Sequence, residues 1–491
     1  MRAAPFADGC LFRTVMAGSA AVRPQTLEGK SMIGISARAY VLAPRLLLTP
    51  EGPRNDTVVV VREGKVAAVV PRAELDGAEP SIRDMPVIDL PDMAVIPGFV
   101  DAHAHAGQTF GKALICGEPM QIWRRLWIPL EDALTPERSY VSAKWIFLEA
   151  LRGGFTTLVN FNRNDPACNE AVHQAAQDAG IRLVSGVAAS TTSPGADAVI
   201  GWIEDHRRQC EAAAMVYPSL CFGFYGDDLS GLSLEDLGRV GRYCRDEGIL
   251  LQMHSNEHFP DVHDCITRFG KRPIELWNEL GILTECTLLH HAALVSAREV
   301  ALVAENGAAI SYNPVASQWK GNAVAPALQY LQQGARVGLG TDNTRMDAFR
   351  NLDAAENCQR LAFGMPVLDF SCGEGWSWVD AGTRGSADAA GLGKLTGEIR
   401  PGLAADLLVL RMNDPEVVPS WDFEWELVRF YNRDQIEAVI VEGRLVMERG
   451  RSSLFDSSAF VGTFETVARD MMREADPTRV HATSSTLRPP R

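Results

Sequence analysis

The chain is 491 residues long, carries a formal net charge of −15, and is 46% hydrophobic and 22% charged. This length allows one large domain and a smaller one, and the composition is that of a globular protein rather than a fibrous or disordered chain. The acidic balance argues against a nucleic-acid partner, which needs basic surface to displace counterions. No apolar run reaches the roughly 18–20 residues of a membrane span, so the expected partner is a small molecule, with no nucleic acid and no membrane.

Ten cysteines are scattered without Cys-x-x-Cys spacing, which reads as reduced thiols in a cytoplasmic protein rather than a zinc finger or a disulfide scaffold. Residues 1–31 read as an irregular extension, because Arg13 interrupts the apolar piece from Cys10 to Val22; Met32 is a candidate start. Residues 32–96 are strand-like, with a hairpin at Thr57–Arg62 and Lys65–Val70 around Glu63-Gly64. Residues 392–450 have the same texture, with strands at Ala405–Leu410 and Ile436–Val441 and a turn at Glu442-Gly443. The two segments predict one small β-sandwich built from both chain ends, followed by a helix and tail over 451–491.

Between them, 97–391 alternates strand-like runs with helical-period stretches. After Val95–His105 the runs are Thr157–Phe161, Arg182–Val187, Leu220–Phe224, Ile249–Met253, Cys286–His290, Ala308–Ser311 and Arg336–Gly340. Helices are predicted at Thr135–Arg152 and Leu234–Glu247, among others. This is the pattern of a (β/α)8 barrel of the TIM type in the α/β class, whose active site lies beyond the C-terminal strand ends.

Those strand ends carry chemistry. The first ends in His103-Ala-His105, and residues two apart on a strand point the same way. The fifth ends in His254, the sixth in His290-His291 and the eighth in Gly340-Thr341-Asp342. His103, His105, His254 and Asp342 supply three imidazoles and a carboxylate, a donor set for one divalent ion: zinc in first place, iron as the alternative. A water on that ion becomes nucleophilic near neutral pH, and Asp342 can take its proton. Glu257, three residues past His254, can shuttle a proton to a ring nitrogen, as the non-ligand glutamate of zinc deaminases does. His290 is assigned to the developing oxyanion; a slip of one residue would put His291 in its place. Trp127 and Trp145 read as packing residues, and His258, His263 and the Asp227-Asp228 pair as loop residues.

Taken together, Pro97–His105, His254-x-x-Glu257, Leu289-His290, Ser311–Pro314, Trp123–Glu131, Gly338–Asp342 and Gly397–Val409 resemble the amidohydrolase superfamily. They are closest to its mononuclear branch of deaminases and triazine hydrolases, and the resemblance covers about residues 35–450. It implies a barrel with a small β-sandwich, one zinc or iron ion held by His103, His105, His254 and Asp342, and catalysis by Glu257, His290 and Asp342. No lysine ends the fourth run, Phe222–Asp227, so a second, bridged metal is not expected. Tyr312 stands where the family often has His, Asn343 where it has Gly, and Gln121-Ile122 where an acidic residue often precedes Trp123. Gln108, Trp123, Tyr312 and Asn343 are the expected substrate contacts.

The reading that follows is a metal-dependent aminohydrolase acting on an aminated nitrogen heterocycle of the purine, pyrimidine, pterin or triazine type. A chlorohydrolase, alkylaminohydrolase or cyclic amidase would use the same site, and a non-catalytic metal-binding relative is the remaining alternative. A homodimer or higher homo-oligomer is compatible with the sequence.

Overall fold

Strands Val87–Pro97 and Phe99–Ala104 are separated only by Gly98, yet belong to different sheets. A Cβ on Gly98 would overlap the Thr156 side chain, so the chain crosses between sheets where only glycine fits. The computed structural model describes residues 39–77, 79–115, 122–189, 194–222, 232–320 and 322–475, with 35, 224–225, 228–229 and 477. The expected 1–31 extension, Met32, Gln121, Asp227 and the tail over 478–491 lie outside the described residues.

Eight parallel strands form one sheet: β1 Phe99–Ala104, β2 Phe155–Asn160, β3 Arg182–Ala189, β4 Val216–Phe222, β5 Leu250–Ser255, β6 Thr287–His291, β7 Ala309–Tyr312 and β8 Arg336–Leu339. Each pairs with the next in chain order. Every residue of β1, β2, β5, β6 and β7 is buried. Burial on both faces is why these strands read as continuous apolar runs rather than alternating ones.

No ladder joins β8 back to β1 among the described residues; directed bonds close that seam instead. Asp342 N donates to His103 O at 2.9 Å, and the Asp101 carboxylate accepts from Thr341 N (2.9 Å), Thr341 Oγ1 (2.6 Å) and His103 N (3.1 Å).

Helices cover the outside: α1 Pro136–Arg152, α2 Pro166–Ala179, α3 Ala196–Glu211 and α4 Leu234–Asp246 are the first long ones. Thr135, Asp165 and Ser233 cap α1, α2 and α4 by accepting from the backbone N–H three residues on, satisfying donors the helix cannot pair itself. The C-terminal helix, Ser457–Ala475, packs Phe464 against Trp145 at 4.0 Å and Phe110 at 5.1 Å. No helix of the described residues is long and apolar enough to cross a membrane.

The strands of the two chain ends join by hydrogen bonding into one nine-stranded sheet. The small β layer expected from both chain ends is this sheet, with Ala39–Thr49 and Val87–Pro97 running parallel in it. Both predicted hairpins are present. Their turns place Glu63-Gly64 and Glu442-Gly443 at positive φ, the geometry two-residue hairpins favour.

The sheet is clamped to the barrel through Arg182 at the start of β3. Its buried guanidinium pairs with the buried Asp406 and, at 3.0 Å, with Glu442, which is 42% exposed. Asp406 also accepts from Thr396 Oγ1 at 2.6 Å and from Glu442 N at 2.8 Å. Asp406→Ala strands a buried charge and is expected to cost about 3–5 kcal/mol, whereas Glu442→Gln, at the solvent edge, should cost about 1 kcal/mol or less. Urea denaturation of the two variants checks the ordering.

Candidate metal centre and active site

Four strand ends deliver the polar groups to one point above the barrel. His103 lies in β1 and His105 just past it; the β1–β2 register breaks between Asp101 and Ala104. Asn343 holds the departing chain: its Oδ1 accepts from His105 N at 2.9 Å and its Nδ2 donates to His105 O. Asn160 Oδ1 accepts from Ala106 N at 2.7 Å.

His103 Nε2 and His105 Nε2 stand 3.6 Å and 3.4 Å from Asp342 Oδ1. His254 closes the group, its ring centroid 4.8 Å from that of His103 and 5.4 Å from that of His105. Ligand atoms of His103, His105 and Asp342 all lie within 4.8 Å of one another, and so do those of His103, His254 and His291.

The electrostatics suit a cation. Burial, helped by the neighbouring imidazoles, holds His103 and His254 well below the usual histidine range, so both present lone pairs at neutral pH. Burial pushes Asp342 up, but Lys320 and the neighbouring histidines outweigh it and hold the carboxyl well below its usual range. Lys320 Nζ donates to Asp342 Oδ2 at 2.5 Å and to Asp342 O at 3.0 Å, leaving Oδ1 turned to the imidazoles. Neither ring nitrogen of His103 has a hydrogen-bond partner although the residue is fully buried. Such an orphaned pair of nitrogens is costly in an apolar interior; a divalent ion at this point would satisfy one of them.

The sixth strand sets apart the two histidines of which the sequence put His290 first. His290 Nε2 meets Gln252 Oε1 at 3.0 Å, and its ring stacks on His103 at 3.7 Å, inside the barrel. His291 is the residue beside the expected acid–base groups: its Nε2 is 3.4 Å from Glu257 Oε1 and 3.9 Å from Asp342 Oδ2. Strict alternation would send His291 outward, but it has φ +68° and Ala292 φ +45°. This left-handed kink turns both neighbours inward. Asn256, Asp342 and Asn343 also have positive φ, backbone conformations that concentrate at functional sites.

Glu257 is placed by Asn322 Nδ2, which donates to its Oε1 at 2.8 Å, and by His258 Nε2 at 3.3 Å. The adjoining cleft is lined by Gln108, Trp123, Trp127, Glu257, Lys320 and Asn322, among others. Trp123 and Trp127 bracket a turn of π-helix, Trp123–Trp127, which brings residues four apart to the same cleft. Gln108 Nε2 donates to Glu131 Oε1 at 2.8 Å.

Two expected substrate contacts are corrected. Tyr312 is fully buried, and its hydroxyl donates to Ala355 O at 3.1 Å, away from the cleft. Asn343 has its amide committed to His105. The cleft is lined instead by Trp127, Lys320 and Asn322, together with His258, which had read as a plain loop residue. Lys320 and Asn322 stand at and just past the end of the short helix Pro314–Trp319, so only their position after Ser311–Pro314 could have signalled them.

The model of the amidohydrolase family matches residues 94–446. A 5-methylthioadenosine/S-adenosylhomocysteine deaminase of Nitratidesulfovibrio vulgaris (strain Miyazaki F) is 29% identical over 84% of this chain and 93% of its own. The protein of the same name from Haloarcula marismortui is 27% identical over 83% and 91%. Among solved structures, a zinc-bound adenosine deaminase from Xanthomonas campestris superposes with a TM-score of 0.79 at 19% identity, covering 88% of this chain and 98% of that one. Atrazine chlorohydrolase TrzN from Arthrobacter aurescens TC1, complexed with zinc, gives 0.76 at 22%, covering 87% and 100%.

Because Asn343 fixes the backbone that carries His105, Asn343→Ala is expected to lower metal affinity about 10–100-fold with the fold intact, as read by competition with a chelating dye. With candidate metal ligands at the strand ends on each side of the barrel seam and a family match over most of its length, the chain belongs to the amidohydrolase family.

Proposed function

We propose that this chain is a metal-dependent aminohydrolase that releases ammonia from an aminated nitrogen heterocycle, with aminopurine nucleosides as the first class to test. The observation that carries the reading is the meeting of Glu257, His291 and Asp342 beside a cluster of neutral imidazoles. The deaminase names of the sequence relatives support it.

His103, His105, His254 and Asp342 would hold the ion; imidazoles with one carboxylate favour zinc, with iron as the alternative. When bound, the ion supplies Lewis acidity, which makes water a competent nucleophile near neutral pH. Glu257 takes one proton from the attacking water to the ring nitrogen beside the attacked carbon. Asp342 takes the remaining proton from the hydroxyl of the adduct and passes it to the departing amine, so that C–N cleavage yields ammonia and a ring carbonyl. Asn322, His258 and His291 all contact Glu257 Oε1, leaving Oε2 to reach the substrate. His291 Nε2 donates to the oxygen on which charge develops, the part assigned to His290 from sequence. Trp123 and Trp127 present aromatic faces to a flat ring. The free thiols of the described residues, Cys168 to Cys372 and all buried but the half-buried Cys286, fit the cytoplasmic setting expected from sequence.

Zinc-loaded protein assayed against aminopurine nucleosides, aminopyrimidines, pterins and aminotriazines is expected to release ammonia; chloride from a chlorotriazine with no ammonia from any of them would replace this reading with the chlorohydrolase one. Glu257→Gln should keep its metal and lose about 10²–10⁴ in kcat. His291→Ala is expected to lower kcat about 10²–10³-fold at full metal occupancy, whereas His290→Asn should lower occupancy itself, through its packing on His103. Metal analysis beside steady-state kinetics separates the two.

A further inference from the structure

The layer between a barrel wall and its helices is ordinarily apolar, but under α2 and α3 it holds three metal-capable side chains that the proposed reaction does not use. His173 comes from α2; His206 and Cys210, four apart, share one face of α3. All three are buried, at 3%, 2% and 0% exposure. Their ligand atoms lie within 4.8 Å of one another. Cys210 Sγ is 3.6 Å from His206 Nε2 and 4.0 Å from His173 Nε2. With Zn–S near 2.3 Å and Zn–N near 2.0–2.1 Å, a tetrahedral site has S···N edges of about 3.6 Å. The triad is therefore close to the size of three corners of such a site.

The hydrogen bonding leaves room for a cation. His206 Nε2 donates to Ser185 O at 2.9 Å, which puts the ring's lone pair on Nδ1, and Nδ1 is buried without a partner. Moving the proton to Nδ1 would free a lone pair on Nε2, the atom that already lies 3.6 Å from Cys210 Sγ. Ser185 O would still accept from Ser219 Oγ at 3.0 Å. Ser185 Oγ, 2.8 Å from His173 Nε2, is in reach of the fourth corner.

We propose that His173, His206 and Cys210 form a second metal site, structural rather than catalytic, which takes a thiophilic divalent cation of the zinc class and ties α2 to α3 over β3. Both imidazoles are ready as neutral donors, since burial holds His173 down to about 3 and His206 below its usual range. Burial also pushes the Cys210 thiol up to about 12, so occupation converts the thiol to thiolate and releases one proton to solvent. The site is independent of the catalytic proposal.

Cobalt loading of the full chain is the test, because the catalytic centre offers no thiolate and a sulfur-to-cobalt charge-transfer band reports this site alone. Wild type is expected to show the band and to bind about two equivalents of zinc per chain, while Cys210→Ser loses the band and one equivalent. Saturating cobalt without a charge-transfer band in wild type overturns the proposal, as does equal zinc stoichiometry in wild type and variant. The wild-type spectrum decides the matter even if the variant does not fold, and His206→Gln provides a second substitution that removes a ligand without touching the thiol.

Discussion

The structure depends on how the barrel closes between its first and last strands. The other strands are joined by ladders, in which each backbone bond is one of many. At the seam the load falls on the Asp101 carboxylate, which accepts from His103 N and from both the backbone and hydroxyl of Thr341. Burial pushes this carboxyl up to about 7 in spite of those bonds, a measure of what it costs to place a charge there. Gly340 completes the closure, since a Cβ at that position would stand 2.8 Å from His103 Cβ. His103, His105 and Asp342 all sit within two residues of these contacts. The same bonds that shut the barrel therefore bring the proposed ligands together from opposite ends of the domain.

Above the seam, the two oxygens of Asp342 divide the environment. Oδ1 faces the His103 and His105 rings, and Oδ2 is held by Lys320. In a buried site, a carboxylate keeps its charge only if a cation or donors compensate its desolvation. Lys320 does so from one side and leaves the other side open to a metal. Burial holds the His103 and His254 imidazoles neutral, which suits them to face a cation rather than to pair with the carboxylate. A second polar group, His290 with Gln252 and Ser219, lies beneath them and props the His103 ring from inside the barrel.

The wall of the proposed substrate cleft is built differently. Trp123 and Trp127 come from a π-helical turn, and Lys320 and Asn322 from the connection after β7. Glu257 follows Asn256, whose φ is +54°, so its direction is set by a turn rather than by the strand before it. The tryptophan and Lys320 segments are single short helical turns and their ends, too brief for a sequence period to mark. Tyr312, at the end of β7, was expected in the cleft and instead spends its hydroxyl on Ala355 O in the layer beneath a helix. Its side chain follows ordinary strand alternation; the cleft residues do not.

The amino-acid sequence by itself determined the eight buried strands, both end hairpins, and the strand ends at His103, His105, His254 and Asp342. Hydrophobic periodicity and turn chemistry are local properties, and a barrel of parallel strands places its C-terminal ends on one face whatever the loops do. Only the tertiary structure put His291, and not His290, beside Glu257, because a left-handed residue at a strand end reverses the alternation on which the sequence argument rested. It also decided that Asn343 serves the backbone of His105 rather than the cleft, and that Lys320 faces Asp342. Each of these contacts joins residues distant along the chain, and no local pattern encodes a distance in space.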